Sequence, residues 1–157
     1  MLREETVEPA TLELLKTMVL LPELKHFRLV GGTALSLLFG HRKSIDIDLF
    51  TDQPLEKDIL IPALEDGFGE IIATNERSKN IYQCIIQDVK VDFVSLRAAF
   101  LNPGQMINNI PFAAIKDLIA LKVIAVEGSG VKKDFWIMIN FENIHNERSF
   151  SILPRKI

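Results

Sequence analysis

Apolar residues recur at helical spacing after Pro9, where Leu12, Leu15 and Val19 share a face and Leu14, Met18 and Leu21 widen it. Proline suits the first position of a helix, because the N–H it lacks would have no partner there. The pattern then shortens. "FRLV" from Phe27 to Val30 predicts a strand that stops at Gly31-Gly32, and "TALSLLF" from Thr33 predicts a short helix closed by Gly40. "IDIDLF" predicts a second strand, followed by a helix from about Pro54 to Asp66 that ends in a glycine-containing turn. Three strand-like runs come next: "EIIAT" from Glu70, "IYQCIIQ" from Ile81 and "VKVDFV" from Val89. Asn80 and Asp88 flank the middle run as turn residues, which predicts an antiparallel meander. Beyond a loop with Asn102, Pro103 and Gly104, a helix is predicted from about Ala114 to Val126 and another from near Lys132. There is no repeat and no convincing boundary. The chain is expected to form a single domain over 1–157, with a poorly patterned tail from about 145.

The second strand is the anomaly. Asp46 and Asp48 interrupt an otherwise apolar run, and burying unpaired charge costs several kcal/mol or more. Residues i and i+2 of a strand project from one face, so the two carboxylates are expected together, with Ile45, Ile47 and Leu49 on the other side. Like charges so close need a cation, and hard oxygen donors select Mg²⁺ or Mn²⁺ over zinc. Asp92 stands alone among apolar residues in a later strand and is the third candidate ligand.

Composition limits the partners. Eighteen Lys and Arg against 21 Asp and Glu give a net charge of −3, so no global positive field marks a nucleic-acid binder, and a polyanion would need a local patch. Cys84 is the single cysteine, which excludes an intramolecular disulfide framework and suits a reducing interior. The charged N-terminus lacks a signal-type apolar block and no stretch is long enough for a span, so no membrane is expected and the location is taken as cytoplasmic.

Gly31-Gly32 supplies the complement to the carboxylates. A glycine pair between strand and helix lets backbone N–H groups approach a ligand, and the start of the helix favours anions such as phosphate. Thr33 adds a hydroxyl there or caps the helix. Arg42 meets a phosphate or bridges the carboxylates, and Ser44 faces the same side as Asp46 if the strand extends that far. Lys122 is the only charge in "IALKVIAV", so its amine must escape to solvent or pair.

Val30-Gly31-Gly32, a spacer of 13 residues, then Asp46-Ile47-Asp48-Leu49 and a separate Val91-Asp92-Phe93 resemble the signature of the DNA polymerase β-type nucleotidyltransferase superfamily. More closely, "LVGGTALSLLFGHRKSIDIDLF" with "IKDLIALKVIA" and "KKDFW" resembles the AbiEii/AbiGii-type nucleotidyltransferase toxin family, over about Leu15 to Trp136. The resemblance implies an α+β fold, with a mixed, mostly antiparallel sheet flanked by helices. It implies that Asp46 and Asp48 hold Mg²⁺ on an NTP, that Asp92 shares a metal near the acceptor hydroxyl, and that Gly31, Gly32 and Thr33 cradle the β- and γ-phosphates. Lys122 aligns with a lysine the family uses for the nucleotide, and Lys133 and Asp134 fall in its "KKD" motif. Transfer of NMP would go to an RNA acceptor, tRNA included, or to a protein, and the chain would be a toxin with a cognate antitoxin.

Relatives commonly carry arginine where this chain has Ser129 and aspartate where it has Ile137, and many continue through further helices. A degenerate copy that keeps nucleotide or partner binding without transfer is therefore the alternative. An Asp-x-Asp glycosyltransferase is a lesser one, since it leaves the glycine turn and Asp92 unexplained.

Overall fold

In the computed structural model, which describes residues 1–129, Pro9 opens α1 (Pro9–Met18), whose Leu14, Leu15 and Met18 are buried. β1 (Arg28–Val30) runs directly into α2 (Gly31–Phe39), which ends at Gly40 in the left-handed conformation. β2 (Ile47–Thr51) and α3 (Lys57–Phe68) follow. The meander is β3 (Ile71–Asn75), β4 (Ile81–Ile86) and β5 (Val89–Ser95), antiparallel throughout. A short hairpin of β6 (Gln105–Ile107) and β7 (Ile110–Phe112) precedes α4 (Ile115–Ser129).

These strands form one mixed, mostly antiparallel sheet in the order β3-β4-β5-β2-β1-β7-β6, the α+β arrangement expected. The parallel pairs are β2 with β5 and β1 with β7. One face is the core: Leu29, Ile47, Leu49, Val91 and Phe93 are fully buried, with Phe27 and Tyr82 packed on the Phe93 ring. α2 packs against β1 and β2. The chain divides into two compact units, Met1–Leu118 and Ile119–Ile157, where the sequence pattern marks no boundary. The whole sheet lies in the first.

Three expectations need correction. The helix begins at Gly31 rather than Thr33, because Val30 is already the extended cap and the glycine pair forms the first turn. β2 begins at Ile47, so Ile45 and Asp46 precede it; Ile45, expected inside, is 63% exposed. The segment expected as loop before α4 contains β6 and β7, joined through Asn108-Asn109, both at positive φ, as the tight hairpin turn requires. The helix expected near Lys132 lies outside the described residues.

The loop between β5 and β6 is held by charge. Asp117, buried in the first turn of α4, accepts hydrogen bonds from the backbone N–H groups of Leu101 and Asn102 at 3.2 and 3.1 Å and from Asn102 Nδ2 at 3.3 Å. Arg28 donates to the Asn102 carbonyl at 2.9 Å and lies over the Phe100 ring. Asp52 accepts from the Phe100 N–H at 3.2 Å. Burial raises the Asp52 pKa, but the Phe100 and Gln53 hydrogen bonds and the Arg28 charge outweigh it and leave the carboxyl below its usual range.

Candidate active site

Strand alternation sorts β2 and β5 into two faces. Ile47, Leu49 and Thr51 of β2 and Val89, Val91 and Phe93 of β5 are buried, whereas Asp48, Phe50, Asp92 and Val94 occupy the other, half-buried face. Because β2 and β5 pair in parallel register, Asp48 sits directly beside Asp92. Register partners share a face, so both carboxylates belong to one row across the sheet: Val30, Asp48, Asp92 and Gln83. Two expected ligands from distant parts of the sequence therefore meet.

Asp46 is held differently. It precedes β2 and is half-buried, and its backbone carbonyl accepts the Thr33 hydroxyl. Thr33 and Ser44 share a hydrogen bond of 2.7 Å between their buried hydroxyls. Ser44 also bridges to Val7, and Thr11 donates to the Ile45 carbonyl at 3.0 Å. The hydroxyls expected to face a phosphate thus tie the segment from Ser44 to Asp46 to α1 and α2, so Thr33 and Ser44 orient the approach to β2.

Val30 pairs with Asp48, which puts the first turn of α2 one residue beyond the carboxylate row. Gly31 has φ +72, and a Cβ there would fall on the Asp48 carboxylate. Both facts require glycine. A Cβ on Gly32 would stand 2.6 Å from Arg42 Nη2. The Arg42 guanidinium therefore lies against the start of α2, where the helix dipole is already positive. Its Nε is buried and has no hydrogen-bond partner among the described residues. Two positive features side by side, one with an idle donor, are what an anion would satisfy.

Asp92 is unequal at its two oxygens. Oδ2 accepts from Gln83 Nε2 at 3.1 Å and stands 3.9 Å from Lys90 Nζ, while Oδ1 is buried with no partner among the described residues. An idle carboxylate oxygen next to a second carboxylate is what a divalent cation would satisfy, and the all-oxygen donors fit Mg²⁺ or Mn²⁺. Among the described residues no group of three or more His, Cys, Asp and Glu is gathered tightly enough to hold a metal unaided. Mg²⁺ is commonly bound by one or two carboxylates and completed by substrate phosphates, so Asp48 and Asp92 suffice for a site of that kind. Behind Asp92, on the core face, burial and then the Asp92 charge push the Cys84 thiol up to about 12, which makes it packing rather than a nucleophile.

Lys122 is half-buried on α4, within the second unit. Lys133 and Asp134 lie outside the described residues. Among the described residues no helix is long and apolar enough to cross a membrane. Gln83 and Asn75 are the site residues that sequence reasoning missed. A signal was present: the two-residue turn Gln87-Asp88, with both φ positive, fixes Ile86 opposite Val89 and hence Gln83 opposite Asp92.

Comparison with known proteins agrees with this geometry. The protein aq_aa25 of Aquifex aeolicus (strain VF5) is 29% identical over 126 residues, which cover 79% of this chain and 61% of that protein. The chain thus spans about three fifths of its curated relative. Among solved structures, a Helicobacter pylori protein classed as a nucleotidyltransferase superposes with a TM-score of 0.57 at 19% identity, over 91% of this chain and 72% of its own. The Megavirus polyadenylate synthase gives 0.56 at 12% identity, over 90% of this chain and 33% of its own. These likenesses establish the nucleotidyltransferase fold. The model of the family described as "Nucleotidyl transferase AbiEii toxin, Type IV TA system" matches residues 13–136, so with the glycine turn and the carboxylate pair inside that span, the chain belongs to the AbiEii nucleotidyltransferase family.

Proposed function

We propose that this protein transfers the nucleoside monophosphate of an NTP to a hydroxyl of an RNA or protein acceptor, and that it is the toxin partner of an antitoxin. The observation that carries the chemistry is the in-register pair Asp48 and Asp92 beside a glycine turn backed by Arg42. The toxin role and the antitoxin rest on the family, whose description is that of a toxin–antitoxin system. The RNA acceptor draws support from the polyadenylate synthase among the fold relatives. A cytoplasmic setting accords with the lone, buried Cys84.

The N–H groups at Gly31 and Gly32 and the Arg42 guanidinium bind the β- and γ-phosphates, which neutralises the positive cluster described above. Asp48 and Asp92 would hold Mg²⁺ or Mn²⁺, with Asp46 before β2 as a further candidate ligand, and the metal when bound would neutralise the triphosphate and stabilise the entering and leaving oxygens. Asp92 also takes up the proton of the acceptor hydroxyl through Oδ1. The acceptor oxygen forms a bond to the α-phosphorus as the bond from that phosphorus to the β-bridging oxygen breaks, and pyrophosphate leaves. Lys122, Lys133 and Asp134 are assigned to the nucleotide, with Thr33 and Ser44 holding Asp46 in place.

The test is incubation with each α-labelled NTP, Mg²⁺ and RNA or protein acceptors. Label transfer that Asp48→Ala abolishes is the expected result. Nucleotide binding without transfer from any NTP would overturn it in favour of a binding module.

A further inference from the structure

The Asp92 carboxylate is oriented from two strands away. Asn75 Nδ2 donates to Gln83 Oε1 at 3.3 Å, and Gln83 Nε2 donates to Asp92 Oδ2 at 3.1 Å. The chain of bonds crosses β3, β4 and β5 on the open face. Its direction is forced: an ionised carboxylate only accepts, so Gln83 must present its NH₂ to Asp92, and its carbonyl oxygen then needs a donor on the far side. Asn75 is that donor.

A backbone irregularity delivers Asn75. β3 and β4 pair as Ile71 with Ile86, Ile72 with Ile85 and Ala73 with Cys84; the register then shifts, and Asn75 rather than Thr74 faces Gln83. The extra residue is a bulge, a device that re-aims a side chain at the cost of one ladder position. Regular pairing would set Thr74 opposite Gln83 and leave the Gln83 orientation unspecified.

From this geometry we infer that Asn75 and Gln83 are positioning residues: by occupying Asp92 Oδ2 they fix its rotamer and leave Oδ1 turned to the cation and the reacting hydroxyl. The inference rests on the reading of Asp92 as a catalytic carboxylate. Partners of this kind behind a metal ligand typically contribute roughly 10- to 100-fold in metal affinity or activity. Lys90, on the strand of Asp92 and half-exposed, is too distant at 3.9 Å to set the rotamer alone.

Mn²⁺ binding to the full chain, followed by electron paramagnetic resonance, and transfer kinetics test this together. Gln83→Leu is expected to weaken Mn²⁺ binding about 10- to 100-fold and to lower kcat similarly, with KM for the NTP little changed. Asn75→Asp is the sharper variant, because it sits on an edge strand where folding is undemanding. An aspartate there can only accept, so Gln83 must flip and turn its oxygen to Asp92. Added negative charge alone would strengthen cation binding, so a roughly tenfold loss of Mn²⁺ affinity in this variant, partly rescued in Asn75→Ala, supports the relay. Mn²⁺ affinity and kcat within twofold of the parent for both Gln83→Leu and Asn75→Asp would overturn it. If Asp92→Ala itself leaves Mn²⁺ binding and transfer intact, the catalytic reading fails, and this inference with it.

Discussion

Asp92 and Asp117 are both acidic groups embedded in apolar sequence, and the fold treats them oppositely. Asp117 is 5% exposed and accepts three hydrogen bonds from the Leu101–Asn102 turn, at a helix start where negative charge is favoured. Asp92 has a side chain 16% exposed and one oxygen with no donor among the described residues. The two differ most in the completeness of their hydrogen bonds: Asp117 is filled by the loop it holds, whereas Asp92 keeps an oxygen that a ligand would satisfy.

That contrast breaks if the two respond alike to removal. Asp48→Ala or Asp92→Ala should lower NMP transfer at least about 100-fold, while denaturant midpoints stay near the parent value. Asp117→Ala should do the reverse. It leaves two backbone N–H groups without an acceptor and should cost about 2–4 kcal/mol of stability, seen in urea unfolding, with kcat retained in the folded fraction. Arg42→Ala tests the proposed anion half of the site: KM for the NTP should rise about tenfold or more with a smaller change in kcat, since the contact proposed for it is to phosphate.

Alkaline pH should expose the core side of the contrast. Burial holds Cys84 and Tyr82 at about 12, above their usual 9.0 and 10.0, so the unfolded chain releases protons first. Their contribution to stability should be constant below pH 9 and be lost between 9 and 12, and Cys84→Ala should delay the onset in pH-jump unfolding. The smallest effect belongs to the β4–β5 turn. Gln87 adopts φ +50 without being glycine or asparagine, so Gln87→Gly should stabilise by roughly 0.5–1 kcal/mol in thermal melts.

Much of this was legible from residue order alone. Asp48 and Asp92 stood out as charges in apolar strand runs, and the glycine pair marked the turn out of β1, because both signals are local, although the pattern predicts the helix only from Thr33. The parallel meeting of β2 with β5 is not local. It depends on the sheet order, which spacing does not encode. Asp46 misled for a related reason: alternation predicted one strand through Ile45 and Asp46, but the bridge from Ser44 to Val7 captures that backbone first. β6 and β7 escaped because three-residue strands, one containing Pro111, carry too few positions to show a period. Gln83 escaped as an amide in an apolar run, although the turn at Gln87-Asp88 fixes its opposite number.

The parallel pairing of β2 with β5 also sets a timetable. While the ribosome is still making β3 and β4, Asp48 lacks its in-register partner Asp92, and a product truncated there would carry the glycine turn but only one carboxylate of the row. A growing polypeptide of this kind cannot bring its two in-register carboxylates together until β5 has emerged and slotted in beside β2.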